Sequence, residues 1–154
     1  MAVCVTKGHM PQPLVDLQPF CHAADGTHPL LESPWSRGSW TYATDGSILV
    51  RVPKRGRTAK TLGPPGVAEL FKRHLERADN FHPLSRVIDR SRLPFQDGIP
   101  CAIAHRVFDG RFLRLIELLP NVQVAAHCGG RLDPMVFRFD SLGAGLLMPM
   151  REAF

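Results

Sequence analysis

Seven cysteine and histidine side chains fall into short groupings that could bind a metal ion. They are Cys21, His22, His28, Cys101, His105, His127 and Cys128. Positions four apart lie on one face of a strand, so Cys101 and His105 could converge on a zinc ion. The adjacent pair at 127–128 could then complete a tetrahedral set. No grouping has the short paired spacing of a zinc finger or ribbon, so we expect no metal site and no cofactor.

Catalytic groups are harder to find. The aspartates are scattered, mostly where turns and helix caps favour aspartate for backbone reasons. They include Asp25, Asp45, Asp89, Asp97, Asp109, Asp133 and Asp140. The sequence contains no nucleophile elbow, glycine-rich phosphate loop or HExxH helix. We therefore expect no catalytic residues and no enzyme activity. If the protein were an enzyme, the alternative would be a metal-dependent nuclease that uses these acidic residues; this ranks behind the two non-enzymatic hypotheses given at the end of this section.

The cations are the most numerous functional candidates. The formal net charge is +5 and the isoelectric point is about 9.4, which suits a polyanionic partner such as DNA. The predicted phosphate-binding residues occupy one loop and two helices. They are Lys54, Arg55, Arg57, Lys60, Lys72, Arg73, Arg77, Arg111 and Arg114. The alternative is a solvated helix surface on which Glu69 pairs with Arg73 at i,i+4.

The elements that must position these residues are predicted from periodicity and turn signals. Residues 39–53 predict a β-hairpin around Asp45-Gly46. VAELFKRHLERAD predicts an amphipathic helix, and GRFLRLIELLP a second one that Asp109 caps and Pro120 ends. Strands are predicted at VID within 80–98, at CAIAHRVF, and at VQVAAH, MVFRFD and GLLMPMR. Runs of strands separated by two helices predict an α+β fold with an antiparallel sheet.

Chain length and composition favour one domain. Residues 1–38 are rich in proline, glycine and histidine without a sustained period, and we expect a loop-rich N-terminal arm there. The main domain is then expected to span 39–154. The sequence has no signal peptide, CxxC pair or membrane-length apolar run, so we expect reduced thiols, a cytoplasmic location and no membrane contact.

The C-terminal GLLMPMR and the earlier YATDGSILV together resemble the bacterial DNA polymerase sliding clamp family. That family ends on MPMR followed by one or two residues, and it carries an ATDG turn. Ser47 and Ile48 stand where the family commonly has histidine and arginine. The resemblance covers residues 39–53 and 108–151, and the chain has room for one of the family's three domains. It implies a single-domain, clamp-like relative, which we expect to be encoded by a bacteriophage.

The resemblance also implies an apolar pocket that receives short peptides from replication proteins. The implied partner-binding residues come from the turn and the closing segment: Thr44, Asp45, Gly46, Ile48, Leu146, Leu147, Met148, Pro149 and Met150. Methionine is flexible and adapts to different partners. The alternatives are that the two methionines only pack in the core and that ATDG is an ordinary turn.

We therefore expect a non-enzymatic clamp-fold accessory protein that binds double-stranded DNA, a replication or repair protein, or further copies of itself. The alternative is a phage-type inhibitor that blocks a bacterial defence or nucleic-acid enzyme. In that case the proline-rich stretch 10–37 would make the contact, since a fold does not dictate a function.

Overall fold

The computed structural model describes residues 15–55, 62–88, 91, 93–140 and 142–151. Two short 3-10 turns, Gln18–Phe20 and Pro29–Leu31, precede the first strand. The strands are β1 (Trp35–Arg37), β2 (Trp40–Thr44), β3 (Ile48–Pro53), β4 (His82–Pro83), β5 (Pro100–Ile103), β6 (Arg106–Asp109), β7 (Gln123–Ala125), β8 (Met135–Phe139) and β9 (Gly143–Leu147). The helices are α1 (Val67–Leu75), α2 (Leu84–Val87) and α3 (Gly110–Glu117).

Seven strands form one antiparallel sheet in the order β1-β2-β3-β9-β8-β7-β4, and β5 and β6 form a separate hairpin. The β2–β3 hairpin turns at Asp45-Gly46 as predicted, with Thr44 opposite Leu49. The closing meander β7–β8–β9 is also confirmed. The α+β class with an antiparallel sheet is therefore correct.

The sheet is covered on both faces. On the side that we call the α3 face, Val50, Phe137 and Leu147 pack with Leu113 and Ile116 of α3. On the opposite side, the α1 face, a second cluster forms around the buried side chain of Phe71. Its strand members are Trp35, Tyr42, Leu49, Ala125, Val136, Ala144 and Leu146. The two amphipathic helices were predicted correctly, and they lie on opposite faces.

The central strand β9 lets two side chains of β8 lie directly against its backbone. Gly143 and Gly145 stand opposite Phe139 and Phe137 on β8. A Cβ atom added to either glycine would overlap the ring of its phenylalanine partner. The two rings are 6.3 Å apart between centroids and lie across the bare backbone of β9. Glycine is therefore required here for space, because both residues have ordinary strand backbones.

Helix α3 begins where the sequence predicted. The Asp109 Oδ1 atom accepts a hydrogen bond of 2.9 Å from the backbone N–H of Arg111, which is the expected cap. The same oxygen accepts another of 2.9 Å from Gly98. Asp109 thus joins α3 to the loop that precedes β5.

Two of the predicted strands are wrong. The VID stretch was expected to be extended, but α2 covers its first residue and Asp89 lies outside the described residues. CAIAHRVF was expected to be one strand, whereas it forms the β5–β6 hairpin. The chain reverses at Ala104, whose φ is 55°. A hairpin turn needs positive φ, and without glycine or asparagine the sequence gives no signal for it.

The segment expected to be an N-terminal arm contributes to the domain. Residues 1–14 lie outside the described residues, but Leu17, Phe20 and Cys21 are buried in the α3-face core. Trp35–Arg37 pairs with β2 as an edge strand. No helix within the described ranges is long and apolar enough to cross a membrane.

The packing of β9 gives a direct test. Gly145→Ala should lower the free energy of unfolding by about 1–3 kcal/mol, because the new methyl group overlaps the Phe137 ring in a closely packed core. Gly130→Ala is the matched control, since its Cβ would meet Asp133 Oδ2 at 3.4 Å, an ordinary contact. Urea unfolding measures both. Equal stability of the two variants would contradict this view of β9.

Candidate functional site

The two motifs that carry the family resemblance adjoin in the folded chain. Ile48 at the end of the ATDG turn is the register partner of Leu147. The backbone N–H of Met148 then donates a hydrogen bond of 2.9 Å to the carbonyl of Ser47. The turn and the closing segment therefore meet at one end of the sheet within a single copy of the chain.

The polar groups of the turn are used by the turn itself. The Asp45 Oδ1 atom accepts hydrogen bonds of 2.8 and 3.1 Å from the N–H groups of Ser47 and Ile48. The Thr44 hydroxyl donates to the Ile48 carbonyl at 2.6 Å and accepts from the Gly46 N–H at 3.1 Å. Gly46 has a φ of 102°, which favours glycine. These contacts explain the ATDG residues as a stable hairpin turn.

The closing segment divides into a buried and an exposed part. Leu146 and Leu147 are 2% and 0% exposed and point to opposite faces of the sheet, so neither can contact a partner without unfolding. Met148 is 43% exposed. Met150 is half-buried, and its N–H donates to the Val107 carbonyl at 2.7 Å, which fastens the segment to β6. Of the predicted apolar contacts, Met148 presents the most accessible side chain.

The predicted phosphate-binding residues are divided between the two faces. Lys72, Arg73 and Arg77 are exposed on α1 or just beyond its end, while Arg111 and Arg114 are exposed on α3. Because these helices cover opposite faces, the two arginine pairs cannot approach one duplex together. Lys54 and Arg55 are exposed and follow β3. Arg57 and Lys60 lie outside the described residues.

The two helices also differ in how their cations are neutralised. The Arg114 Nη2 atom lies 2.6 Å from Asp97 Oδ1, an ion pair, and Arg111 lies against the Phe112 ring. Within the described ranges the α1 cations form no ion pair, and the Glu69–Arg73 pair of the alternative interpretation is not formed. The α1 cations are therefore not held in ion pairs, although Glu69 and Glu76 are exposed on or next to the same helix.

Arg51 adds to that face and was not predicted. Its guanidinium lies 3.9 Å from the centroid of the Trp40 ring and 4.8 Å from that of Phe71. Burial lowers the pKa of Arg51 from its usual value, and a hydrogen bond with Tyr42 acts in the opposite direction. An arginine remains charged at neutral pH, so the aromatic residues hold a cation in a fixed place.

Arg138 forms the second part of the same surface. Its Nε and Nη2 atoms donate to Gln123 Oε1 at 3.1 and 2.9 Å, and its guanidinium lies 4.2 Å from the Phe81 ring centroid. Arg51 and Arg138 both pair with Ala144, so they stand on the same face with one small residue between them. Two interstrand spacings separate their backbones by about 10 Å.

We call Arg51, Arg138 and the three α1-side cations Lys72, Arg73 and Arg77 the cationic face. The sequence contained a signal for the two strand arginines: each interrupts a strand that is otherwise almost wholly apolar, in ILVRVP and MVFRFD. A cation there needs an aromatic or polar neighbour. Nothing in the sequence indicated that they share a row.

Within the described residues, the Cys101–His105 and His127–Cys128 groupings do not come together as a set of metal ligands. Arg106, which is 1% exposed, donates to the carbonyls of Ala126, Asp133 and Pro134 at 2.8–3.1 Å and thereby fixes the β7–β8 connection. Cys128 on that connection donates to Asp79 Oδ1 at 3.1 Å. Burial raises the pKa of the Cys128 thiol, which disfavours the reactive thiolate.

Alanine variants of Met148 and Leu147 distinguish a side chain that is available for binding from one that packs in the core. Leu147→Ala should cost about 2–5 kcal/mol of unfolding free energy, because it empties a fully buried site. Met148→Ala should change stability by about 0.5 kcal/mol or less, as for other exposed positions. Chemical denaturation of both variants checks this. A large loss in Met148→Ala would mean that its side chain serves the core.

His74 predicts a pH dependence. Burial, with smaller effects from Arg73 and Arg77, lowers its pKa below the ordinary value of 6.5, although Asp133 acts in the other direction. The unfolded chain therefore binds this proton first, and stability falls as pH falls from about 6.5 towards the folded pKa. His74→Gln should reduce that loss. The unfolding free energy of wild type and of the variant is measured at pH 7.5 and at pH 5. If both proteins lose the same stability between these two pH values, the prediction is wrong.

Comparison with known proteins gives no relative. The chain matches no protein-family model, no curated protein and no solved structure.

Proposed function

We propose that this protein is a non-enzymatic, clamp-like accessory protein that binds DNA through its cationic face. The observation that carries the proposal is the difference in ion pairing between the cations on the two faces of the sheet. On the α1 face five cations are free of ion pairs within the described chain, whereas on the α3 face Arg114 is neutralised by Asp97. The relation to the sliding clamp remains part of the proposal and rests on the two adjoining motifs.

The geometry of the cationic face suits phosphate. Arg51 and Arg138 are held by aromatic rings, so they lose little side-chain freedom when an anion arrives. Guanidinium groups match phosphate oxygens in a bidentate fashion. Lys72 and Arg73 lie on the helix that covers the same face, and Arg77 follows two residues after its end. The cations of this face come from two strands and one helix and not from one projecting element, so we propose contacts with the backbone of the duplex rather than with base edges.

Such binding must depend strongly on salt, because phosphate neutralisation releases condensed counterions. It also needs no catalytic group. One domain covers only one side of a duplex, so encirclement would require several copies. A partner protein could instead dock beside the exposed Met148.

Two double variants with the same change of charge test the face. Arg73→Ala with Arg77→Ala should weaken duplex binding and reduce the slope of log K against log salt by about 1.8, since each lost phosphate contact removes about 0.9. Arg111→Ala with Arg114→Ala should leave both quantities unchanged. Fluorescence anisotropy with a short labelled duplex, at several salt concentrations, measures them, and circular dichroism verifies folding.

Equal losses in the two double variants would show that only net charge matters and would overturn the proposed face. The absence of any duplex binding at low salt would overturn the function itself. A protein complex that survives salt sufficient to abolish DNA binding would favour the inhibitor alternative. An inhibitor could contact its target through an apolar cleft of about 330 Å³. The cleft is lined by Val15, Pro19, Phe20, Leu118 and Leu119.

A further inference from the structure

A cluster of potential metal ligands lies outside the cationic face, on residues 22–32, which span the loop between the two 3-10 turns and the second turn itself. One ligand atom each of His22, Asp25 and Glu32 lies within 4.8 Å of the others. The ring of His28 is 4.5 Å from that of His22 between centroids. Within the described residues this is the group of three or more such side chains that comes together in space.

The backbone already holds this cluster in place. The N–H of His22 donates to the Leu31 carbonyl at 2.9 Å, and Gln18 Nε2 donates to the Glu32 carbonyl at 2.8 Å. These bonds bring the beginning and the end of the segment together. The neighbouring Phe20 and Cys21 are buried in the α3-face core, so the cluster rests on a fixed base.

The acidic members keep oxygen atoms for a metal. Asp25 Oδ1 accepts hydrogen bonds from the Thr27 hydroxyl and N–H at 2.5 and 2.9 Å. Glu32 Oε1 accepts one of 2.7 Å from the Gly26 N–H. Each carboxylate thus uses one oxygen to fix its position.

His22 can serve as a ligand in either of two ways. Its Nδ1 atom donates to the Ala23 carbonyl at 2.9 Å and lies 3.9 Å from Asp25 Oδ1. Binding through Nε2 would keep the bond to Ala23, an arrangement that orients many metal-binding imidazoles. Binding through Nδ1 would replace that bond.

We propose that His22, Asp25 and Glu32, with His28 as a fourth ligand, bind one divalent transition-metal ion such as Zn²⁺. Imidazole with carboxylate suits zinc and its neighbours better than magnesium or calcium, which prefer oxygen alone. The ligand atoms of a tetrahedral zinc site lie about 3.3 Å apart, so the side chains must move inward by small rotations. The exposures of 27% for His22 and 51% for Asp25 permit this. The ion would cross-link the ends of the segment.

Zinc titration of the reduced full-length chain by calorimetry tests the site. We expect one zinc ion per chain, and a loss of affinity of about 10-fold or more in His22→Gln and in Glu32→Gln. His127→Gln and Glu117→Gln are matched controls, exposed and outside the cluster, and should bind as the wild type does. Bound Co²⁺ should show no thiolate charge-transfer band, because the proposed ligands are nitrogen and oxygen.

The proposal is overturned if wild type binds no zinc at millimolar concentration, if His22→Gln binds it unchanged, or if the cobalt spectrum shows thiolate ligation. Should a variant fail to fold, the imidazole resonances of the wild type decide the question. The first equivalent of zinc must then shift the signals of His22 before those of His82, His105 or His127.

Discussion

The structure depends on the contact between two phenylalanine rings and the bare backbone of the central strand. Because Gly143 and Gly145 carry no side chains, the rings of Phe139 and Phe137 can lie across β9 on the α3 face. Any other residue at either position would push the rings away from the core that α3 completes. The register between β8 and β9 is fixed in this way, and β9 in turn fixes β3. The positions of the ATDG turn and of Met148 follow from that register.

The same strand shapes the opposite face. Ala144 lies between the two glycines in sequence and therefore points the other way. Its small side chain separates Arg51 from Arg138 in one cross-strand row, which continues to Gln123. Each guanidinium can then lie over an aromatic ring instead of competing with a large neighbour. The sequence Gly-Ala-Gly thus makes room for apolar rings on one face and for cations on the other.

Periodicity and caps predicted the elements whose cause is local. The β2–β3 hairpin, both long helices, the Asp109 cap and the closing meander all follow from residues close together in the chain. The β5–β6 hairpin was missed because its reversal uses Ala104 at positive φ, which has no sequence signature. The α2 turn was missed because four residues are too few to show a helical period. The packing of Phe20 and the arginine row were missed because both depend on contacts between distant segments.

Prediction of the candidate site was less complete for a related reason. The motif residues were identified from their types, but the fold uses most of them: Leu146 and Leu147 fill the two cores, and Thr44 and Asp45 complete the turn. A motif chosen by resemblance can thus be explained by stability alone. Stability does not explain the cationic face in the same way. Isolated cations between apolar strands add little to stability, and binding of an anion would account for them.

The sheet edges constrain how several copies could assemble. At one edge β1 is only three residues long, and the backbone of Gly63 lies against the Trp35 ring on the α1 face. At the other edge β4 is two residues long and ends in Pro83, which has no N–H to donate. Covered or shortened edges oppose the addition of further strands. Any ring around DNA would therefore have to form through side-chain surfaces, and a single copy that lies on one side of the duplex is the simpler arrangement.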